Sequence, residues 1–200
     1  MGDPRKLRKQ YSSPKKMWTT SRIDEEKELT NEYGLRNKRE IWKARAILSK
    51  ILRQAKQIIA RRTAQSEKEK DQLLAKLKSL SLIPADGDIN AVLNVKLKDL
   101  LGRRLQTIVF KKNLANTINQ ARQFVSHRHI NIGSKNITVP SYLVRKDEEE
   151  HVSFKPVSAL AKADHPERAV KEKKEKKVKK VPHGERRTFR EAAGKQKRRY

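Results

Sequence analysis

The chain has 200 residues, of which 35% are hydrophobic and 36% charged, and its 50 lysines and arginines outnumber 23 acids to give a net charge of +27. This length allows one or two small domains, and the low apolar content excludes a core that extends through the whole chain. The lack of cysteine excludes disulfides, thiolate metal sites and cysteine nucleophiles.

The excess of positive charge predicts a polyanionic partner, because so many like charges repel one another in an isolated protein. Nucleic acid is the commonest polyanion that such proteins bind. The alternative, a soluble basic protein without a partner, is disfavoured because natural domains seldom carry this much unbalanced charge. The start MGDPRKLRKQ lacks the apolar stretch of a signal peptide, and no run approaches the roughly 18 apolar residues of a membrane span. We therefore expect no membrane partner.

The first part of the chain combines a basic arm with a short helix. Residues 1–20 are basic and contain two prolines, which predicts an extended arm. A helix is expected to begin near Ser21 and to end at Glu32 or Tyr33, with Gly34 as its C-terminal stop.

A long amphipathic helix is predicted over residues 37–62, because apolar residues recur there at intervals of three and four. They are Ile41, Ala44, Leu48, Ile51, Leu52, Ala55, Ile58 and Ile59. The other faces are almost entirely positive, through Lys43, Arg45, Lys50, Arg53, Lys56, Arg61 and Arg62. A solvated helix face usually mixes both signs, so this one predicts contact with phosphates.

Further helical patterns follow. Ser66 and Glu69 fit a capping box that opens a helix ending before Pro84, and we expect this helix to pack antiparallel to residues 37–62. A helical pattern then returns from Val95 to Lys112.

A compact unit is predicted next, over residues 101–156. One helix face repeats at spacings of four, three and four through Leu114, Ile118, Ala121 and Val125. The period then changes to two, which predicts short strands at 130–132, 137–139 and 152–154. The acidic run 147–150, between the last two strands, is expected to be a solvated loop.

The periodicity fails after Pro156, where KEKKEKKVKK is of low complexity. Such a tail cannot bury enough apolar surface to offset the entropy of ordering it, so residues 157–200 are expected to be a basic tail that is disordered when free. The fold class is therefore predicted as α+β. A basic helical N-terminal domain over 21–100 precedes a module over 101–156, in which two helices pack on a short antiparallel sheet, and an extended C-terminal tail follows.

The stretch ARQFVSHRHINIG raises the question of a metal site, because His127 and His129 would lie on one face of a strand. Further ligands are lacking in the module before Asp147, and Arg128 and its positive surroundings oppose a dication. Catalysis would need a nucleophile or a substrate pocket, and the sequence suggests neither. We expect no metal, no cofactor, no catalytic residue and no small-molecule substrate.

The same stretch fits the recognition of folded RNA. Arg122 lies on the polar side of its helix, and His127, Arg128 and His129 follow at the corner between helix and strand. Arginine and lysine reach phosphates, whereas histidine can bond to sugars and bases. The low aromatic content favours reading of shape and backbone over extensive stacking. The alternative is a merely solvated basic corner.

Several segments resemble a known module. RRLQTIVF, LANTINQARQFVSHRHINIG and ITVPSYLV are similar to the small alpha-L RNA-binding module of small-subunit ribosomal protein four, some pseudouridine synthases and some tRNA synthetases. The flanking MGDPRKLRKQY, YGLRNKREIWKA and IPADGDIN resemble the archaeal and eukaryotic branch of that ribosomal family, over roughly residues 1–155. Arg128 departs from the wider module, which commonly has glycine there.

The resemblance implies a structural constituent of the small ribosomal subunit and not an enzyme. Such a protein would be a primary binder of small-subunit rRNA in the 5′ domain, would nucleate assembly, and would lie near the channel by which mRNA enters. Its expected partners are that rRNA, neighbouring small-subunit ribosomal proteins and mRNA at the channel. Its expected location is the cytoplasm, in the small subunit.

The resemblance also implies which residues contact RNA. By position, the module contributes Arg103, Arg104, Lys111, Asn116, Arg122, Gln123, Ser126, His127, Arg128 and His129. The family's basic turn corresponds to Arg36, Asn37, Lys38 and Arg39. On charge and placement we add Arg5, Arg8, Lys9, Lys43, Arg53, Lys112 and Lys135.

Two alternatives carry the same module. A pre-rRNA processing factor would lack the opening MGDPRKLRKQY. An RNA-modifying enzyme would need a separate catalytic domain, which neither the basic helices of residues 1–100 nor the tail after residue 156 provides.

Overall fold

A computed structural model describes residues 9–61, 63–162 and 165, all of which belong to one compact unit. The beginning of the predicted arm and most of the predicted tail lie outside the described residues. Within the described ranges, no helix is both long and apolar enough to cross a membrane. The architecture is mixed, mostly helical with one small antiparallel sheet, which confirms the predicted fold class.

Five helices form the first part of the described chain. They are α1 (Thr20–Glu32), α2 (Lys38–Ala60), α3 (Ala64–Ser79), α4 (Ile89–Leu93) and α5 (Leu97–Gly102). Helix α1 ends as predicted before Gly34, whose φ of +56° suits glycine. Helix α2 begins at the side chain of Asn37, which accepts a hydrogen bond from the Glu40 N–H at 3.2 Å.

The apolar stripe of α2 packs against α3 and α4, as its spacing predicts. The shared core contains Ile51, Ala55, Ile58, Leu73, Leu77, Ile83, Val92 and Val95. The predicted capping box of α3 is wrong by one turn. The Thr63 hydroxyl accepts from the Ser66 N–H at 3.3 Å, and the Ser66 hydroxyl accepts from the Thr63 N–H at 3.1 Å. Ser66 therefore occupies the third helical position, and Thr63 is the cap.

The helical pattern predicted from Val95 to Lys112 forms two separate helices. Helix α5 ends at Gly102, and α6 (Leu105–Lys111) begins three residues later. Between them the chain pairs with a distant segment: Arg104 forms a β-bridge with Leu143, and the Leu105 N–H donates to the carbonyl of Tyr142 at 2.8 Å. These long-range bonds replace the helical ones.

The module consists of α6 and α7 (Ile118–Ser126) on a three-stranded antiparallel sheet. Its strands are β1 (Ile130–Ile132), β2 (Lys135–Asn136) and β3 (Val152–Phe154), in the order β2-β1-β3. The core between helices and sheet includes Leu105, Ile108, Val109, Ala121, Phe124, Val125, Ile130, Ile132, Val144 and Val152. This arrangement of two helices on a sheet is the one predicted.

The second strand differs from its prediction at 137–139. Strand β2 ends at Asn136, and the chain then turns toward α6, where the Gln106 N–H donates to the carbonyl of Pro140 at 3.3 Å. In this connection Ile137 is half-buried and Val139 is 53% exposed, so the alternation there does not mark a paired strand.

The acidic run also differs from its prediction as a solvated loop. It forms a short helix, α8 (Lys146–Glu150). The Glu148 carboxylate accepts from the Arg145 N–H at 3.1 Å and from the Tyr142 hydroxyl at 2.9 Å. Burial by itself raises the pKa of Glu148, but these two hydrogen bonds, together with the positive charges of Arg145 and Lys135, hold the pKa below its ordinary value. The acidic run thus contributes to the structure of the module through the hydrogen bonds of Glu148.

The packing of the module continues beyond residue 156. A short 3-10 helix spans Ala159–Ala161, and Leu160 is 6% exposed within the module core. The first residues assigned to the tail are therefore part of the folded unit.

Candidate nucleic-acid interface

A buried ion-pair cluster joins α2 to the module. The Glu40 carboxylate accepts from the Arg122 guanidinium in α7 at 2.9 Å and from that of Arg104 at 2.5 Å. Only 17% of the Glu40 side chain and 5% of the Arg104 side chain are exposed. One carboxylate thus binds two arginines from the module.

The charges in this cluster stabilise one another. Burial by itself raises the pKa of Glu40, but hydrogen bonds from Arg122 and Arg104 outweigh it, so that the pKa lies below its ordinary value of 4.5. Burial is also the largest influence on Arg104 and lowers its pKa, although Glu40 opposes that effect. Glu40 therefore ionises more readily than an unperturbed glutamate, and it holds both guanidinium groups in place.

An open cleft of about 440 Å³ lies beside this cluster. Its walls come from the first turns of α2 and from the module, including Arg39, Lys43, Arg122, Pro140 and Ser141. Arg39 and Lys43 are exposed. The cleft therefore has one carboxylate, already engaged by two arginines, and a positive rim suited to phosphates.

The corner between α7 and β1 presents the central residues of ARQFVSHRHINIG. The Thr117 hydroxyl caps the start of α7 by accepting from the Gln120 N–H at 3.1 Å. At the other end the chain leaves the helix through Arg128, whose φ is +64°. The next residue bonds back to the helix, because the His129 N–H donates to the carbonyl of Phe124 at 3.0 Å. This turn carries the Arg128 side chain outward, where it is exposed.

The two histidines occupy different environments. His127 is exposed, whereas His129 is half-buried and lies with Nδ1 at 2.8 Å from the Ser158 hydroxyl. Their rings are stacked, with centroids 6.4 Å apart. Within the described ranges, no group of three or more histidines or acids comes together that could hold a metal ion.

Most of the predicted RNA-contacting residues lie at the surface. Lys9, Arg36, Asn37, Lys38, Arg39, Lys43, Arg53, Lys111, Gln123, Ser126, His127, Arg128 and Lys135 are exposed. Arg103, Lys112, Asn116, Arg122 and His129 are half-buried, and Arg104 is buried. Arg5 and Arg8 lie outside the described residues. Exposure makes the first group available to a partner, and their contacts with RNA remain a prediction.

Several members of the predicted set are engaged inside the protein. Arg122 pairs with Glu40, and Lys38 Nζ lies 3.5 Å from the buried Glu26 carboxylate. Arg104 pairs with Glu40 in the buried cluster. Arg103 donates to the Val144 carbonyl at 3.0 Å and pairs with Glu149 in α8 at 2.6 Å. The adjacent residues Arg103 and Arg104 therefore bond to opposite parts of the fold. They hold the surface residues in position more than they contribute to the surface themselves.

The sequence prediction did not include the residues that hold the site together. Glu40 is the one acid in the otherwise basic helix α2, and this isolation is the one local indication of its role. Gln106 was missed entirely. It is fully buried, and its Nε2 donates to the carbonyls of Gly34 at 3.1 Å and Ile118 at 2.9 Å.

Comparison with known proteins places these features in a family. The S4 domain family matches residues 103–150, which cover most of the module. Small ribosomal subunit protein uS4 of Methanococcus aeolicus is 48% identical over 169 residues, which are 84% of this chain and 96% of the relative. The proteins of the same name from Ignicoccus hospitalis and Methanococcus maripaludis are 46% and 43% identical, over 81% and 84% of this chain and 98% and 95% of the relatives. The resemblance to the archaeal branch is confirmed, and the chain belongs to the family of small ribosomal subunit protein uS4.

Proposed function

We propose that this protein is a structural component of the small ribosomal subunit and binds small-subunit rRNA through the corner at Arg128 and the basic face of α2. The observation that carries the proposal is the left-handed backbone conformation of Arg128, whose φ is +64°. A left-handed conformation is unfavourable for a residue with a side chain, by about 1 kcal/mol or more. The presence of an exposed arginine there, despite this cost, supports a role for its side chain in binding.

The surroundings of Arg128 support the same conclusion. Gln123, Ser126 and His127 are exposed on the same corner, and they offer amide, hydroxyl and imidazole groups to sugars and bases. On α2, Lys43 and Arg53 are exposed and offer positive charge to phosphates. The relatives are ribosomal proteins by name, so the function is structural and not enzymatic.

Finer parts of the proposal follow from the family resemblance. The rRNA site is the 5′ domain, where the protein binds early and nucleates assembly. Neighbouring ribosomal proteins and, near the channel by which it enters, mRNA are further partners. The protein acts in the cytoplasm. The arm over 1–20, the helical region over 21–100 and the module over 101–156 bind RNA. The part of the basic tail that follows the folded turn at Ala159–Ala161 becomes ordered on it.

Sedimentation of the native protein from cell extract tests this proposal. We expect it to travel with mature small subunits and to stay on them after a wash in high salt. Travel with precursor particles alone would instead support the alternative of a pre-rRNA processing factor. Recovery in the free fraction would contradict both.

A further inference from the structure

Trp18 lies almost entirely in solvent just before α1. Its side chain is 90% exposed, and that of the adjacent Met17 is 63% exposed. Single exposed apolar side chains are ordinary on protein surfaces, so exposure alone carries no argument. The backbone that carries this tryptophan, however, is fixed by specific contacts.

The first of these contacts is a guanidinium under the turn. Arg22 donates to the carbonyl oxygens of Lys16 at 3.0 Å and Met17 at 2.7 Å. Its other terminal nitrogen donates to Glu26 at 3.2 Å. The Glu26 carboxylate is completely buried and also accepts from Trp42 Nε1 at 3.0 Å. The turn is therefore tied to α1 and α2 through a buried carboxylate.

The second contact lies toward the N-terminus of the same segment. The ring of Tyr11 lies 6.0 Å from that of Trp42, and Lys9 Nζ lies 4.7 Å above the Tyr11 ring. The segment from residue 9 to residue 18 is thus attached to the helices at both ends. A side chain on an immobilised segment loses less conformational entropy when a partner arrives.

The charge around the indole indicates the partner. Lys15 and Lys16, which are exposed, precede it in the chain by three and two residues. An aromatic face beside lysines is the combination that binds unpaired nucleic acid, since the ring stacks on a base and the cations contact the phosphates. A protein partner would need an acidic surface to face these lysines, whereas every RNA segment supplies the charge.

We propose that Trp18 is a stacking platform for an unpaired RNA base, with Lys15 and Lys16 on the adjoining phosphates. Arg22 and Glu26 are positioning residues, because they hold the turn and do not touch the RNA. The inference rests on the proposed function in taking RNA as the partner, and it adds a separate site with a different mode of recognition.

Binding of the full chain to two RNA probes tests the inference. One probe is an oligoadenylate, and the other is a fully paired RNA duplex with the same number of phosphates. Trp18→Leu should weaken binding to the oligoadenylate about tenfold or more, because the indole no longer stacks on a base. It should leave duplex affinity and the salt dependence unchanged, and Trp18→Phe should retain most of the affinity. Lys15→Ala with Lys16→Ala should instead lower the salt slope, by about 0.7 for each phosphate that the protein no longer neutralises.

The outcomes separate this inference from the proposed function. If Trp18→Leu binds oligoadenylate as tightly as the wild type does, the inference is overturned, and a protein becomes the remaining candidate partner of the indole. An equal loss on the duplex also overturns it, because paired bases offer no free face there. Steep, salt-dependent binding of both probes by wild type and Trp18→Leu alike refutes the inference alone. If the wild type binds neither probe, the inference is refuted, and binding to the 5′ domain of small-subunit rRNA decides separately on the proposed function.

Discussion

Glu40 in α2 and Arg122 in α7 are 82 positions apart in the chain and form an ion pair at 2.9 Å. The same carboxylate pairs with Arg104, so it joins the helical region to α7 and to the residue that precedes α6. The exposed basic surfaces of α2 and of the α7 corner thereby keep a fixed spacing. Glu40 is the residue on which the arrangement of the candidate interface depends.

Removal of this carboxylate should destabilise the fold. Glu40→Ala leaves the buried Arg104 guanidinium without its counter-charge, and we expect a loss of about 3 kcal/mol in the free energy of unfolding. Denaturant titration measures it. The matched control is Glu28→Ala, at an exposed position in α1, which should change stability by less than about 0.5 kcal/mol. Equal effects of the two substitutions would show that the cluster contributes nothing specific.

The same pair predicts a pH dependence. Because the pKa of Glu40 is lowered on folding, its contribution is complete above the ordinary value of 4.5 and is lost as the pH falls through the lower folded pKa. Unfolding free energies of wild type and Glu40→Gln, measured on descending pH, should therefore converge in the acidic range. A difference that stays constant there would contradict the predicted shift.

Substitution of two glycines by alanine distinguishes the cost of backbone strain from the cost of close packing. Gly34 and Gly133 have φ values of +56° and +55°. A Cβ at Gly34 would lie 2.8 Å from Gln106 Nε2 and 2.8 Å from Ile118 Cγ2, whereas one at Gly133 would meet nothing within 4 Å. Gly133→Ala should therefore cost the strain alone, about 1 kcal/mol. Gly34→Ala should cost at least about 2 kcal/mol more, because it also displaces a buried hydrogen-bond donor. Thermal or denaturant unfolding compares them, and equal losses would rule out an effect of close packing at Gly34.

Arg128→Gly separates stability from RNA binding. Glycine relieves the left-handed strain at φ +64°, so the free energy of unfolding should stay within about 1 kcal/mol of wild type. Affinity for rRNA should fall, and the slope of its logarithm against log salt should shrink by about 0.9 if Arg128 neutralises one phosphate. Ser81→Gly, at φ +50°, is the control for strain relief away from the corner. RNA binding unchanged by Arg128→Gly would remove the basis for the proposed role.

Elements with strong local patterns could be predicted from the sequence. The long stripe of α2, the change of period from α7 to β1, and strand β3 depend on residues close together in the chain. The unpredicted features depend on distant partners. The break between α5 and α6 exists because Leu105 bonds to Tyr142, and a helical period alone cannot reveal such a bond.

In the candidate site, too, the features set by local sequence could be predicted and those set by distant partners could not. Arg128 and His127 could be chosen from charge and position, and both are exposed. Arg104 could not be distinguished from them, because its burial depends on a glutamate 64 positions away. In a basic helix, an isolated acid such as Glu40 is the local feature that points to an internal partner.

The salt dependence of binding to the 5′ domain of small-subunit rRNA tests the central claim most directly. Each phosphate that the protein neutralises should contribute about −0.9 to the slope of log affinity against log salt, or about −0.7 where the RNA is single-stranded. The exposed cations on α2 and at the Arg128 corner predict a steep, linear fall across several such contacts. A flat slope would contradict the account.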